Sequence, residues 1–220
     1  MKMKFFKSLL IIVCLLSNMS VLAQENCFVV DGIFYKAGFV DVKTKMPIDT
    51  ICMVVKGDEP YKKEDITIPE TVVYNNKKIT VIGIDSDSFM KCDNLKKITI
   101  PNTVTAIGLG AFRYCNGLTD VTIPNSVTVI DRRVFEYSTG LTCVTIGSSV
   151  KNIGGQVFRG CTGLTTLYSR NPIPPKVSEN SFDNEHYETL KVFVPRSALA
   201  KYKQAEGWKN FKKLQAFDPK

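Results

Sequence analysis

The chain has 220 residues, 44% hydrophobic and 23% charged, with a formal net charge of +8. This length suits one domain or one short repeat array, and the apolar share excludes global disorder. The charge is uneven: residues 1–23 carry +3, residues 24–190 sit near neutrality at −1, and residues 191–220 carry +6.

The opening stretch, MKMKFFKSLLIIVCLLSNMSVLA, starts with Lys2, Lys4 and Lys7 and continues into an apolar run from Leu9 to Leu16. The run is too short to span a bilayer. Val21 and Ala23 lie three and one residues before a cleavage point, which predicts a signal peptide over 1–23 and a mature chain from Gln24. Cys14 follows Val13 and Cys27 follows Asn26, so neither cysteine has the small residue a lipobox requires. No later segment is apolar enough to anchor the chain. The mature protein is therefore expected to be soluble, secreted or periplasmic or at the cell surface, without a transmembrane anchor. An exported chain seldom meets nucleic acid, so the basic end reads as a solvated face or as a contact for acidic glycans or acidic surfaces.

Residues 24–65 are expected to form an N-terminal β cap, with a hairpin signal at Asp31-Gly32 inside CFVVDGIFYKAGF. Ile66 to Pro69 then begin a repeat array over 66–195. Its first unit carries a hairpin insertion, VVYNNKKITV, turning at Asn75-Asn76.

From here a step of 23 residues governs the chain. Phe89, Phe112, Phe135 and Phe158 keep it, as do Ile84, Ile107, Ile130 and Ile153, and also Leu95, Leu118, Leu141 and Leu164. Cys92, Cys115 and Cys161 share another column, in which Ser138 is the exception. A period of 20–29 residues with L-x-x-L-x-L spacing is the leucine-rich-repeat signature. In LKKITIP the residues Leu95, Ile98 and Ile100 point inward and Lys97 and Thr99 outward, as in a half-buried strand. Pro101 ends the ladder by removing a donor. The return segment, IGLGAFRYCNG, is expected to turn through Gly108 and Gly110 and to bury Phe112 in a short helical or 3₁₀ turn. Stacked units then superpose like residues, and the phenylalanines become a core spine.

LKVFVP repeats the strand pattern once more, with Phe182 one residue late in the phenylalanine column. Residues 196–220 are expected to form a helical C-terminal cap. Ser197 would cap a helix presenting Leu199, Tyr202 and Ala205, with Trp208, Phe211 and Leu214 adding apolar surface.

The units AFRYCNGLTDVTIPNSVTVI and VFRGCTGLTTL resemble the BspA-like leucine-rich repeats of bacterial surface and secreted proteins. VDGIFY with EDITIPETVVYNNKKITVIG is similar to the start of many such chains from Bacteroidetes, and FVPRSALAKYKQAEGWKNF to their usual ending. The resemblance implies a leucine-rich-repeat solenoid of right-handed coil and a role in binding or adhesion at host or microbial surfaces. It implies no shared catalytic site. The chain departs from large members of that family in its shortness and in lacking a visible anchor.

Chemical candidates are few. His186, in DNEHYE, is the one histidine; it is read as a surface residue, and no G-x-S-x-G element accompanies it. Asp85 and Asp87 read as turn or cap residues rather than cation ligands. Gly108 and Gly110 belong to the repeat turn, since Arg113 stands where a phosphate loop needs its third glycine. No catalytic residue, metal site or cofactor site is expected. Of the six cysteines after residue 23, Cys92 and Cys115 are expected as buried free thiols and Cys143 as an exposed one, while a bridge between Cys27 and Cys52 stays open. The candidate partner-binding face is the outward side of the strands: Lys97, Asp120, Cys143 and Thr166 in one column, Thr99, Thr122, Thr145 and Tyr168 in the next. The expected function is a non-catalytic module recognising a protein through that face; the alternative is glycan or acidic-surface binding through the basic end.

Overall fold

The computed structural model describes residues 19–20, 27–41, 47–57 and 59–218. The leader expected over 1–23 lies outside the described residues, apart from a two-residue strand β1 (Met19–Ser20) paired antiparallel with β3 (Ile33–Asp41).

The N-terminal part is a set of hairpins. β2 (Cys27–Val30) turns into β3 through Asp31 and Gly32, both at positive φ. β4 (Pro47–Val54) runs antiparallel to β3 and parallel to the later β7 (Lys77–Ile84). Next come β5 (Asp65–Thr67) and β6 (Thr71–Tyr74), and β6 turns into β7 through Asn75 and Asn76, at φ 50° and 61°. Positive φ at both central residues is the two-residue hairpin geometry whose twist matches its strands.

The repeats contribute two parallel ladders. The first comprises β8 (Lys97–Thr99), β10 (Asp120–Thr122), β12 (Cys143–Ile146) and β14 (Thr166–Ser169), with β5 before them and β16 (Lys191–Pro195) after. The second comprises the two-residue strands β9 (Ala106–Ile107), β11 (Val129–Ile130), β13 (Asn152–Ile153) and β15 (Lys176–Val177), and it joins the N-terminal sheet through β7. The sequence reading had one strand per unit. The Ile84 column, read only as apolar core, is also a strand column, because β-branched residues at that corner pair between neighbouring units.

The core lies between the ladders. Leu95, Leu118, Leu141 and Leu164 are buried on one side, and the rings of Tyr61, Phe89, Phe112, Phe135, Phe158 and Phe182 stack in series with centroids 4.9 to 5.8 Å apart. Close approach of neighbouring units explains one glycine column: a Cβ on Gly140 would collide with the carbonyl oxygen of Asn116.

The return segments are not helical. No helix or 3₁₀ turn forms between residues 59 and 183. The Phe112 N–H donates across to Val134 O at 2.9 Å and the Tyr114 N–H to Glu136 O at 3.0 Å, while the intervening Arg113 N–H turns back to Gly110 O. This alternation spends every second donor on the next unit, so a continuous i→i−4 ladder cannot run. It also needs two left-handed residues per unit, at Asp87, Gly110, Arg133 and Gln156 and again at Lys91, Tyr114, Tyr137 and Gly160. Most are not glycine, and the inter-unit bonds offset the local cost.

After β15 comes α1 (Asn184–Thr189), then β16, a 3₁₀ turn (Arg196–Ala198) and α2 (Leu199–Gln204). Ser197 is not the N-cap of α2: the chain enters the helix from the 3₁₀ turn, with Ala198 at that position. Trp208 is fully buried against the last unit and donates Nε1–H to Pro175 O at 2.8 Å. The chain then departs from the helical expectation, because Lys213–Phe217 forms a strand, β17, that pairs parallel with β16 and extends the first ladder. The small-residue and aromatic content of KLQAF suits both states; the open edge of β16 decides it by offering unpaired backbone groups.

Candidate functional site

The parallel register fixes which side chains share the outer face of the first ladder. One column runs Asp65, Lys97, Asp120, Cys143, Thr166, Lys191, Lys213, and the next runs Thr99, Thr122, Thr145, Tyr168, Phe193, Gln215. All eight candidate residues therefore lie on one face. Lys97, Thr99, Asp120 and Thr122 are exposed, while Cys143, Thr145, Thr166 and Tyr168 are half-buried. The first four line an open depression of about 730 Å³, completed by Asn102, Asn125 and Arg170.

The other half of the face has different chemistry. Tyr168 stacks on Phe193 with centroids 4.8 Å apart and planes 16° apart, and Phe217 meets Tyr168 at 5.5 Å and 76°. Lys191 and Lys213 are exposed neighbours in the adjacent column. These four residues, Lys191, Phe193, Lys213 and Phe217, were missed from sequence. Lys191 and Phe193 stand at the outward positions of LKVFVP, a signal readable in the sequence; Lys213 and Phe217 stand on β17, a strand within the segment expected as a helical cap.

Position explains the thiol at Cys143. The side chain is half-buried, and burial first, then the nearby Asp120 carboxylate, raises its pKa above the ordinary thiol value. It is not an activated thiolate. Among the described residues the most open cysteine is Cys27, at an edge of the N-terminal sheet. Cys27 and Cys52 sit on opposite sides of β3, roughly 9–10 Å apart across two strand spacings, too far to bridge. Both are free thiols, as are Cys92, Cys115 and Cys161 in the core.

His186 contradicts its sequence reading: it is buried, not a surface residue. It occupies the first turn of α1, where Nδ1 accepts from the Asp183 N–H at 3.2 Å and Nε2 lies 3.0 Å from Cys161 O. With Nδ1 accepting, Nε2 carries the proton and donates. Both ring nitrogens are used in tying α1 to the preceding unit. Asp85 plays the expected turn role, its Oδ1 accepting from the Ser86 N–H at 2.7 Å. Among the described residues no three His, Cys, Asp or Glu side chains group so as to hold a metal ion.

On the return side, Glu136 is buried and meets three arginines. Arg113 Nε is 2.6 Å from its Oε2, with Arg133 and Arg159 near 4 Å. Beside them Tyr114 stacks on Tyr137 at 5.3 Å. The arginines on adjacent units converge on one carboxylate, so this cluster ties units together. The basic end is also partly neutralised: Arg196 pairs with Asp218, Lys209 with Glu206 and Lys212 with Glu188.

A BspA type leucine-rich repeat region matches residues 82–201 in six copies, more than half of the chain. The chain belongs to the BspA-type leucine-rich repeat family. Similar solved structures include a leucine-rich repeat protein from Bacteroides capillosus ATCC 29799, 25% identical with TM-score 0.57, over 67% of this chain and 100% of that one. The pneumococcal vaccine antigen PcpA is 20% identical with TM-score 0.55, over 89% of this chain and 48% of its own, a likeness of fold alone. A leucine-rich repeat protein from Bacteroides ovatus ATCC 8483 is 23% identical with TM-score 0.46, over 78% of this chain and 56% of that one. Among curated proteins none matches. Among the described residues of this BspA-type chain, no helix is long and apolar enough to cross a membrane.

Proposed function

We propose that this BspA-type chain is an exported, non-catalytic binding module that recognises a protein at a host or microbial surface through the outer face of its first ladder. In this reading residues 1–23 are a cleaved leader, 24–65 and 196–220 cap the two ends, and 66–195 form the right-handed solenoid between them. The observation that carries the reading is the trio Tyr168, Phe193 and Phe217 on an otherwise polar strand face. Threonine on such a face follows from strand propensity alone. Three partly exposed aromatic rings do not, and aromatic side chains are enriched where proteins bind.

Size bounds the contact. Seven strands at about 4.8 Å spacing give a face roughly 29 Å wide, comparable with one side of a standard interface of about 800 Å². The glycan or acidic-surface alternative through the C-terminal end is weakened by the carboxylate partners of Arg196, Lys209 and Lys212.

The test is capture of partners from mucosal extracts and bacterial surface fractions, repeated with variants. Tyr168→Ala and Asp120→Lys are expected to reduce capture at unchanged thermal stability, and Lys212→Glu to leave it intact. Capture lost in Lys212→Glu and kept in the other two would move the site to the C-terminal end and restore the alternative.

A further inference from the structure

We infer that the C-terminal half of the strand face takes an extended peptide segment in which an acidic side chain and an apolar side chain stand two residues apart; this rests on the protein-binding reading of that face.

Charge divides the face. Its N-terminal half mixes signs, with Asp65, Lys97 and Asp120 in one column. From β12 to β17 the two outer columns hold no acidic residue, while Lys191 and Lys213 stand side by side. The nearest acid past the end of β17, Asp218, is already held by Arg196. Among the described residues neither Lys191 nor Lys213 has a carboxylate partner. Two ammonium groups on neighbouring strands, with Cα atoms about 4.8 Å apart, fit one carboxylate between them or one each.

Spacing supplies the pattern. Lys191 and Phe193 stand two positions apart on β16, and Lys213 and Phe217 four positions apart on β17. Alternate side chains on an extended chain repeat every ~6.6–6.8 Å. A segment lying along these strands, in either direction, therefore sets a carboxylate over the lysines when its neighbour two positions on reaches the ring cluster. The rings favour a side chain over a sugar. Tyr168 and Phe193 cover one face of each other, and their outer faces are flanked in register by Thr145 and Gln215. One face of each ring is thereby closed to a stacking pyranose.

The test uses the purified protein and fluorescence anisotropy with labelled nine-residue peptides. One peptide repeats Glu-x-Leu, one has the same composition with its glutamates and leucines in separate blocks, and one carries lysine for glutamate. A heparin-derived oligosaccharide is the fourth probe. Expected is binding of the Glu-x-Leu peptide in preference to the other three, weakened by rising ionic strength. Lys191→Glu with Lys213→Glu should weaken it about tenfold or more, and so should Phe193→Ser, whereas Arg132→Glu, a charge reversal at an exposed position of the return side, should not. Both lysines are exposed, so the double variant is expected to fold, and circular dichroism checks this. Equal binding of the lysine peptide, preference for the oligosaccharide, indifference to the double reversal, or no binding by any probe would overturn the inference. A captured natural partner that still depends on Tyr168 and Asp120 would leave the broader reading standing in each of those cases.

Discussion

Ser138 stands in a column of cysteines, and its hydrogen bond says why both residues fit. Its hydroxyl donates to Phe112 O at 2.7 Å, as the Cys115 thiol donates to Phe89 O at 3.0 Å and Cys161 to Phe135 O at 2.9 Å. The column selects a small side chain with a donor, not a disulfide partner. Cys161→Ser should thus fold with a small loss, and Cys161→Ala should cost about 1 kcal/mol more in denaturant unfolding through the missing donor. Burial pushes the Cys92 thiol up to about 11 and those of Cys52 and Cys161 up to about 12, from 9.0. The folded chain keeps protons that the unfolded chain releases above pH 9. Stability from these groups is therefore intact below about pH 9 and falls as pH rises towards 11–12. A urea midpoint that stays level from pH 8 to about 10.5 would contradict this. In timed alkylation of the native protein, Cys27 should label first and Cys143 more slowly, with the core thiols protected. At this level the sequence was readable where a column repeats. It was not for His186, whose burial depends on α1 folding back onto Cys161 from a segment outside the period.

Neighbouring turns of the chain stabilise one another through the ring stack and the cross-unit hydrogen bonds. Phe135 lies between Phe112 and Phe158, at 5.5 and 5.8 Å. Phe135→Ala should cost about 3–5 kcal/mol from lost transfer energy and a cavity, and in a short stack the loss should appear as unfolding of the whole array. Calorimetry checks it; an unchanged midpoint would remove the register described above. Glu136 invites a second comparison. Glu136→Gln removes the charge facing three arginines and should destabilise by about 1–3 kcal/mol, whereas Arg133→Ala, losing the 3.9 Å contact and an exposed hydrogen bond from Nε to Gln156 Oε1 at 2.8 Å, should cost about 1 kcal/mol or less. Strands and hairpins were legible because alternation, Asp31-Gly32 and Asn75-Asn76 are local signals. The return segments were not: apolar spacing there suits a helical turn, and only donors spent on the next unit turn it into a run of alternating β-turns.

Across the entire molecule, the 23-residue step made the fold class readable and hid the ends. β17 extends the ladder because β16 leaves an open edge, a condition no window of sequence carries. That one strand brings Lys213 and Phe217 onto the outer face of the first ladder. The candidate columns were correctly aligned from sequence up to Tyr168, and their aromatic and basic continuation became visible only with the register of β16 and β17. The proposed function places recognition on this face. Hydroxyl-radical footprinting of the protein, alone and saturated with its captured partner, tests it most directly, because the return side supplies an internal control in the stacked Tyr114 and Tyr137. Partner binding is expected to protect Tyr168, Phe193 and Phe217 from oxidation and to leave Tyr114 and Tyr137 unchanged. Protection of Tyr114 and Tyr137 with Tyr168, Phe193 and Phe217 unaffected would contradict it.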